Sequence, residues 1–302
     1  MDLRERVIGS VLGLALGDAL GAPFHGLRAH QGPHPLPVFE LPWMGFSPGV
    51  TTDATAMARN LVGSMIERGG FDAADLAHRH VGWLGTGPPR VNSLTRIVLT
   101  GIRDGDPGAP RAYIQERGPE VSAGNGSVMY CAPLGAAYAR HPDALAIHAP
   151  ALSAITHWDE RCRTACLAVT LTLAAIIRGE PPDRAVVDSV EALAGEGAEE
   201  LEYLVGEAGR ARPIDGPDRG FALFTAGIAL QVAGEGLGFE EGLRRVVGMG
   251  GDTDTNGAVA GALLGALKGA EGLPQEWLQR LADRGAIEDE AHQLAELAER
   301  IA

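Results

Sequence analysis

Helical periodicity recurs along almost the whole 302-residue chain, and this pattern constrains the fold more than any other feature of the sequence. Apolar residues return at spacings of three and four, whereas the strict alternation of apolar and polar residues that is typical of strands is hard to find. The pattern predicts an all-α protein. A chain of this length buries a large core and has no internal repeat, so we expect a single compact multi-helix domain over residues 1–302.

Gly and Pro mark the joins between fourteen predicted helices. The segment 25–50 is rich in proline and has no helical period, so we predict a long irregular loop there, of a kind that is commonly functional or disordered. The predicted helices cover residues 2–20, 53–68, 72–84, 91–103, 127–140, 143–154, 159–178, 183–195, 197–209, 220–233, 239–248, 254–269, 274–284 and 287–301.

One predicted helix, 254–269, has only small residues along one side. These are Ala258, Gly261, Ala262, Gly265, Ala266 and Gly269. A helix face without side-chain bulk lets a second helix approach closely, so we expect 254–269 to be central and tightly packed. The helix predicted over 2–20 is apolar on most sides and is also expected to be buried. The alternative for 254–269 is a simple bias of composition toward Gly and Ala.

Charge and composition exclude several classes of partner. The net charge is -14 and the pI is about 5.1, so we expect no nucleic-acid binding. The apolar run near the N-terminus is interrupted by Asp18 and follows a segment without net positive charge, which argues against a signal peptide. No other stretch reaches the ~18 apolar residues of a membrane span. We therefore expect a cytoplasmic protein that binds no membrane, with reduced, buried thiols at Cys131, Cys162 and Cys166.

The sequence GGDTDT crowds two carboxylates and a hydroxyl, those of Asp252, Asp254 and Thr255, behind a Gly-Gly turn at a predicted helix start. Carboxylates this close repel each other unless a cation lies between them or water screens them. Helix capping explains one such residue, because one cap needs one side chain. On its own the stretch is consistent with a metal site or with a capped, solvated turn.

A second cluster of the same kind lies in TTDAT, where Thr52, Asp53 and Thr55 precede the helix predicted over 53–68. Carboxylate and hydroxyl oxygens are hard ligands that suit Mg²⁺ or Mn²⁺ better than zinc. An Asp at a helix N-terminus also interacts favourably with the helix dipole. Together the two clusters predict a site for one or two divalent ions.

Five stretches resemble, in order and spacing, the ADP-ribosylglycohydrolase family, which includes dinitrogenase-reductase-activating glycohydrolases and ADP-ribosylarginine and ADP-ribosylserine hydrolases. The resemblance implies an all-α domain with a binuclear Mg²⁺ or Mn²⁺ centre at the bottom of an ADP-ribose cleft. It implies that the chain cleaves ADP-ribose, or a related nucleotide-ribose, from an acceptor. The stretches are LALGDALGAPFHG (14–26), TTDATAM (51–57), GNGSVMYCAPLG (124–135), THWD (156–159) and GGDTDTNGAVAGALLGA (250–266).

The resemblance also assigns roles to individual residues. Asp53 and His25 are the predicted catalytic groups, and the resemblance implies that the Gly-rich turn GTGPP approaches ADP-ribose. Glycines there allow close backbone approach, and N–H groups at a helix start bind phosphate. The implied metal ligands are Thr52, Asp53, Asp252, Asp254 and Thr255, and the implied substrate-binding residues are Gly124, Asn125, Gly126, Ser127, Met129 and His157.

Two positions depart from the family pattern. Ala54 replaces the second Asp of Thr-Asp-Asp-Thr, and its methyl group cannot bind a metal ion. His25 replaces a Glu that lies near the scissile bond in the family. Three explanations stay open: an introduced inactivating substitution, a natural pseudoenzyme that binds ADP-ribose, or a divergent enzyme in which His25 is the acid or base. Asp18 is expected to be a structural hydrogen-bonding group.

Overall fold

The computed structural model describes residues 1–30, 36–206, 209 and 212–301. Within these ranges the chain forms fifteen α-helices and no strand beyond two isolated bridges, so the all-α prediction is confirmed. The helices are α1 Leu3–Gly21, α2 Asp53–Arg68, α3 Ala73–Gly85, α4 Ser93–Arg103, α5 Ala109–Arg117, α6 Ala132–Ala137, α7 Pro142–Ala154, α8 Glu160–Arg178, α9 Pro182–Glu191, α10 Ala198–Val205, α11 Ala222–Gly234, α12 Phe239–Gly248, α13 Thr253–Lys268, α14 Gln275–Arg280 and α15 Arg284–Arg300.

The predicted helices differ from the observed ones mainly where Gly and Pro occur. Helix α5 was not predicted, because the Gly and Pro residues of 103–110 were interpreted as a join between helices, although Pro is common in the first turn of a helix. The helix predicted over 127–140 is divided into a 3₁₀ turn, Val128–Tyr130, and the short α6. Part of the prediction for 197–209, at residues 207–208, lies outside the described residues, as do 31–35 of the predicted loop.

Helices α1 and α13 pack backbone to backbone at the centre of the core. A Cβ atom added to Gly13 would overlap the carbonyl group of Gly261, and one added to Gly9 would overlap that of Gly265. Gly17 meets Gly257 in the same way. The close approach predicted for the small-residue face of 254–269 is therefore confirmed, and Gly257 extends that face by one turn.

One described helix, Leu3–Phe24, is long and apolar enough to cross a membrane by length and composition alone. In the folded chain 89% of its most apolar window is buried. Packing against α13 and the surrounding core thus accounts for its apolar sequence. The three cysteines are free and buried, as predicted.

Candidate active site

The two acidic clusters lie at the N-termini of α2 and α13. Thr52 caps α2, and its side chain accepts a hydrogen bond from the backbone N–H of Ala54. Asp252 precedes α13, but its side chain makes no capping hydrogen bond. The capped-turn alternative therefore does not explain Asp252. Gly250 and Gly251 have φ angles of 72° and 77°, a conformation that favours glycine and turns the chain into α13.

The Gly-Gly turn is joined by backbone hydrogen bonds to the segment that follows α1. The N–H of Gly26 donates to the carbonyl of Gly251 at 2.7 Å, and the N–H of Gly251 donates to the carbonyl of Leu27 at 2.9 Å. These two bonds fix the neighbouring residues, His25 and Asp252, side by side although they lie far apart in the sequence.

His25 lies between the two carboxylates of the second cluster. Its Nδ1 donates to Asp254 Oδ1 at 2.8 Å and lies 2.9 Å from Asp252 Oδ1. Burial opposes a charge on the imidazole, but the contacts with Asp252 and Asp254 outweigh it and raise the pKa of His25 to about 9. His25 is thus a cation at neutral pH, a state that suits a proton donor rather than the base that an ordinary histidine pKa would allow.

Arg90 is a site residue that the sequence reasoning missed. Its Nη1 is paired with Asp254 Oδ2, and its Nη2 lies 3.7 Å from Asp252 Oδ1. Arg90 ends the GTGPPR stretch before α4, a turn that was expected to reach the ligand only through its Gly and Pro residues. The sequence offered one signal for this residue, namely that Arg90 directly follows a turn expected to approach the ligand.

Asp18 orients both threonines of the first cluster. Its carboxylate accepts hydrogen bonds from Thr52 Oγ1 at 2.6 Å, Thr52 N at 2.9 Å, Thr55 Oγ1 at 2.5 Å and Thr55 N at 3.0 Å. Complete burial and the charge of Asp254 raise the pKa of Asp18 to about 6, against the effect of these bonds. Because each hydroxyl gives its proton to Asp18, its oxygen can offer a lone pair to a metal ion, even though Thr52 Oγ1 also accepts the capping hydrogen bond from Ala54.

Asp53 lines a cavity of about 200 Å³ beside the acidic cluster, together with Thr52, Arg90, Trp43 and Trp83. Its side chain is nearly buried, at the first position of α2. Burial and the neighbouring Asp254 raise the pKa of Asp53 to about 7, while the charge of Arg90 opposes the shift. A carboxylate with a pKa near neutrality is suited to accept a proton.

The GNGS loop reaches the cluster through Asn125. Its Nδ2 donates to Asp252 Oδ2 at 2.8 Å and to Thr225 Oγ1 at 2.9 Å. Thr225 Oγ1 in turn donates to Asn256 Oδ1 at 2.7 Å. Asn125 thus holds the carboxylate of Asp252 in place, in addition to its predicted contact with substrate.

The structure brings three other predicted substrate residues together behind the loop. Ser127, Met129 and His157 are at most 2% exposed. His157 packs against Gly124 and Gly126, where a Cβ added to Gly126 would lie 2.7 Å from His157 Cε1. Burial lowers the pKa of His157 to about 3, so the ring is neutral. In this arrangement the buried His157 ring packs against the glycines of the GNGS loop and supports the loop from the protein interior.

A larger cavity, of about 530 Å³, opens on the outer side of Gly124. Its walls include Arg161, Arg212 and the ring of Phe221. The Arg161 guanidinium lies 5.6 Å from the centre of the Phe221 ring and is also paired with Asp159. Two guanidinium groups and an aromatic face suit an anionic, aromatic ligand such as a nucleotide.

The cluster fits one divalent ion better than two. The carboxylate oxygens of Asp252 and Asp254, with His25 Nδ1 beside them, lie within 4.8 Å of one another, close enough for the two carboxylates to share an ion. Asp252 Oδ1 is buried and, apart from its ion pairs with His25 and Arg90, has no polar partner among the described residues, so it keeps a lone pair for an ion. Ala54, in contrast, is 1% exposed and belongs to the apolar core. It offers no oxygen where the family resemblance implies one.

The family model for ADP-ribosylglycohydrolases matches residues 1–302, the whole chain. The chain belongs to the ADP-ribosylglycohydrolase family. The resemblance in the motifs is thereby confirmed, and the chain is a member of a family of hydrolases.

Three similar proteins illustrate how far the likeness extends. ADP-ribosyl-[dinitrogen reductase] glycohydrolase of Rhodospirillum rubrum is 30% identical, over 93% of this chain and 91% of the relative. ADP-ribosylarginine hydrolase Tri1 of Pseudomonas putida (strain GB-1) is 27% identical, over 98% of this chain and 80% of the relative. A solved ADP-ribosylglycohydrolase-related protein complex matches with a TM-score of 0.80 at 33% identity, over 98% and 99% of the two chains.

Proposed function

We propose that the chain hydrolyses the glycosidic bond between ADP-ribose and an acceptor, with its chemistry at the cluster of His25, Asp252 and Asp254. The observation that carries the proposal is the convergence of these side chains from segments more than 220 residues apart, within 4.8 Å of one another. The family match over residues 1–302 supports the same reaction. ADP-ribosylated groups are the substrate class, and a cytoplasmic location remains a prediction.

The proposed ligand position spans the cluster and the larger cavity. Arg161 and Arg212 would bind the two phosphates, and Phe221 would contact the base, because these groups line the cavity that Gly124 borders. The guanidinium N–H groups are donors through which a chain of net charge -14 can hold an anionic ligand, since nearby donors outweigh a distant field. The ribose then extends past Asn125 toward the carboxylates.

We propose one Mg²⁺ or Mn²⁺ ion as the cofactor. The residues that would hold it are Thr52, Asp53, Asp252, Asp254 and Thr255, all of them oxygen donors. When bound, such an ion polarises the ribose hydroxyls and lowers the pKa of water.

The chain's own residues supply the proton transfers of the proposed reaction. Water attacks the anomeric carbon, and the bond from that carbon to the acceptor breaks. Asp53, which lines the cavity beside the cluster, accepts the proton from water. His25, protonated at neutral pH, donates a proton to the leaving acceptor. Asp252 and Asp254 hold the imidazole in place through its Nδ1.

A release assay tests this function. The purified chain is incubated with ADP-ribosylated arginine, serine and nucleobase, with Mg²⁺ or Mn²⁺, and free ADP-ribose is measured. We expect release from at least one substrate and its loss in Asp254→Asn, with Asp72→Asn, a substitution of the helix α3 cap, as the matched control. No release from any of the three substrates would contradict the proposal.

A binding module without hydrolysis is the second candidate, and Ala54 favours it because a metal ligand is missing there. Calorimetry with ADP-ribose distinguishes the two functions. Binding of ADP-ribose together with no release in the assay identifies a pseudoenzyme. Release of ADP-ribose identifies an enzyme.

A further inference from the structure

We propose that Arg90 is a built-in cation that takes the place of a second divalent ion, so that the site holds one ion at most. The inference rests on the proposed function, because it concerns the ion content of that site. Its first support is contact: the guanidinium is paired with Asp254 Oδ2 and its second nitrogen lies 3.7 Å from Asp252 Oδ1. A second ion would need the same oxygen atoms.

The charges of the site support the same conclusion. Asp18, Asp53, Asp252 and Asp254 carry four formal negative charges in and beside the cluster. The His25 imidazolium, the Arg90 guanidinium and one divalent ion supply four positive charges in total. A second divalent ion would leave an excess of positive charge in a site where Asp252 and Asp254 are buried, and unpaired charge in such a place is strongly unfavourable.

The missing ligand is the third support. The family pattern has a further carboxylate on the first turn of α2, and the residue there is Ala54, which is buried and offers no oxygen. This chain therefore lacks a ligand for a second ion and carries a cation in contact with the remaining ones. A guanidinium keeps its charge at every pH at which the protein is folded. Arg90 therefore takes the place of the second ion throughout that pH range.

Arg59 provides a matched control. It lines the same 200 Å³ cavity as Arg90. Its guanidinium is paired with Glu290 at 2.8 Å, through two nitrogens, and not with the acidic cluster. Removing Arg59 thus deletes one positive charge from the cavity wall without freeing an oxygen of Asp254.

The experiment is Mn²⁺ titration by calorimetry, with bound metal counted by elemental analysis after dialysis. It compares the parent chain, Arg90→Ala, Arg90→Lys, Arg59→Ala, and the pairs Ala54→Asp/Arg90→Ala and Ala54→Asp/Arg59→Ala. We expect at most one bound ion in the parent chain and in the double variant Ala54→Asp/Arg59→Ala, which keeps Arg90. We expect two bound ions in Ala54→Asp/Arg90→Ala. Arg90→Ala alone should bind its ion at least tenfold more tightly than the parent, whereas Arg90→Lys and Arg59→Ala should not.

Two ions in the parent chain would overturn the proposal, and so would a folded Ala54→Asp/Arg90→Ala variant that binds no more Mn²⁺ than the parent. Circular dichroism checks folding. If that pair does not fold, Arg90→Ala decides, because an unchanged dissociation constant there refutes the role of Arg90. A parent chain that binds no ion agrees with the limit of one ion that we assign to Arg90. The same result contradicts the one-ion cofactor proposed above. The release assay tests the hydrolase activity separately.

Discussion

A single carboxylate, that of Asp18, sets the direction in which two threonine hydroxyls present their lone pairs. We expect Asp18→Asn to weaken Mn²⁺ binding by about 10–100-fold, the usual effect of losing a partner that orients metal ligands. The amide still fills the space, but it cannot accept four hydrogen bonds from Thr52 and Thr55. Calorimetry measures the change, with Asp72→Asn as the control. Equal Mn²⁺ affinities in the two variants would show that Asp18 does not orient the ligands.

His80 is expected to make the stability of the protein depend on pH. It is fully buried against the Tyr130 ring, and burial lowers its pKa from 6.5 to about 3. The unfolded chain therefore binds a proton at His80 as the pH falls below 6.5, whereas the folded chain does not. Stability from this group is present above pH 6.5 and is lost toward pH 3, by about 1.4 kcal/mol per pH unit.

The variant His80→Phe keeps the aromatic contact and removes the titration. Urea unfolding of parent and variant between pH 7.5 and pH 4.5 measures the effect. We expect the free energy of unfolding of the parent to fall more steeply than that of the variant. Taking the difference between the two cancels the opposing contributions of Asp18 and Asp53, whose raised pKa values favour the folded state as pH falls. Parallel curves would contradict the prediction.

At the residue scale, the oxygen donors could be predicted from the sequence but the cations beside them could not. Asp252 and Asp254 are so close in sequence that their repulsion itself indicates a positive partner. Arg90 lies more than 160 positions away, and no spacing rule connects it to them. Only the tertiary packing brings this arginine to Asp254, and the same packing raises the pKa of His25 above its ordinary value.

Among the elements, the pair α1 and α13 depends most strongly on glycine. We expect Gly13→Ala to lower the free energy of unfolding by about 1–3 kcal/mol, because the added methyl group overlaps the carbonyl of Gly261 and forces the helices apart. Gly82→Ala, at an exposed position of α3 with open space around it, is the control. It should stabilise the protein by about 0.5–1 kcal/mol. Denaturant unfolding of both variants measures these changes, and a neutral Gly13→Ala would contradict the packing.

Most helices could be predicted because an apolar face repeats with the helical period, and the errors occur where that signal is weak. Helix α5 is short and mostly polar, with only Ala109 and Pro110 buried, so periodicity does not reveal it. The opposite error arose at 127–140, where every described residue up to Ala139 is buried. Uniform burial hides the bend at Cys131, since no polar face interrupts the pattern.

On the scale of the whole molecule, ion binding should stabilise the entire fold. The proposed ligands come from α2 in the first quarter of the chain and α13 in the last, so they hold together only in the folded state. Mn²⁺ at 100 times its dissociation constant should then raise the free energy of unfolding by about 2.7 kcal/mol. Thermal melts with and without Mn²⁺ measure this, and Asp254→Asn should lose the increase. A parent chain whose melting temperature does not change with Mn²⁺ would contradict the proposal of one bound ion.

The glycine contact between α1 and α13 has a consequence for how the chain is made. During synthesis the apolar helix Leu3–Gly21 leaves the ribosome before its partner, Thr253–Lys268, which follows almost 250 residues later. At translation rates of about 5–20 residues per second, the delay is roughly 12–50 seconds. For that time the apolar helix lacks the partner with which it packs backbone to backbone and relies on other cover, and the acidic cluster is completed only after α13 has emerged.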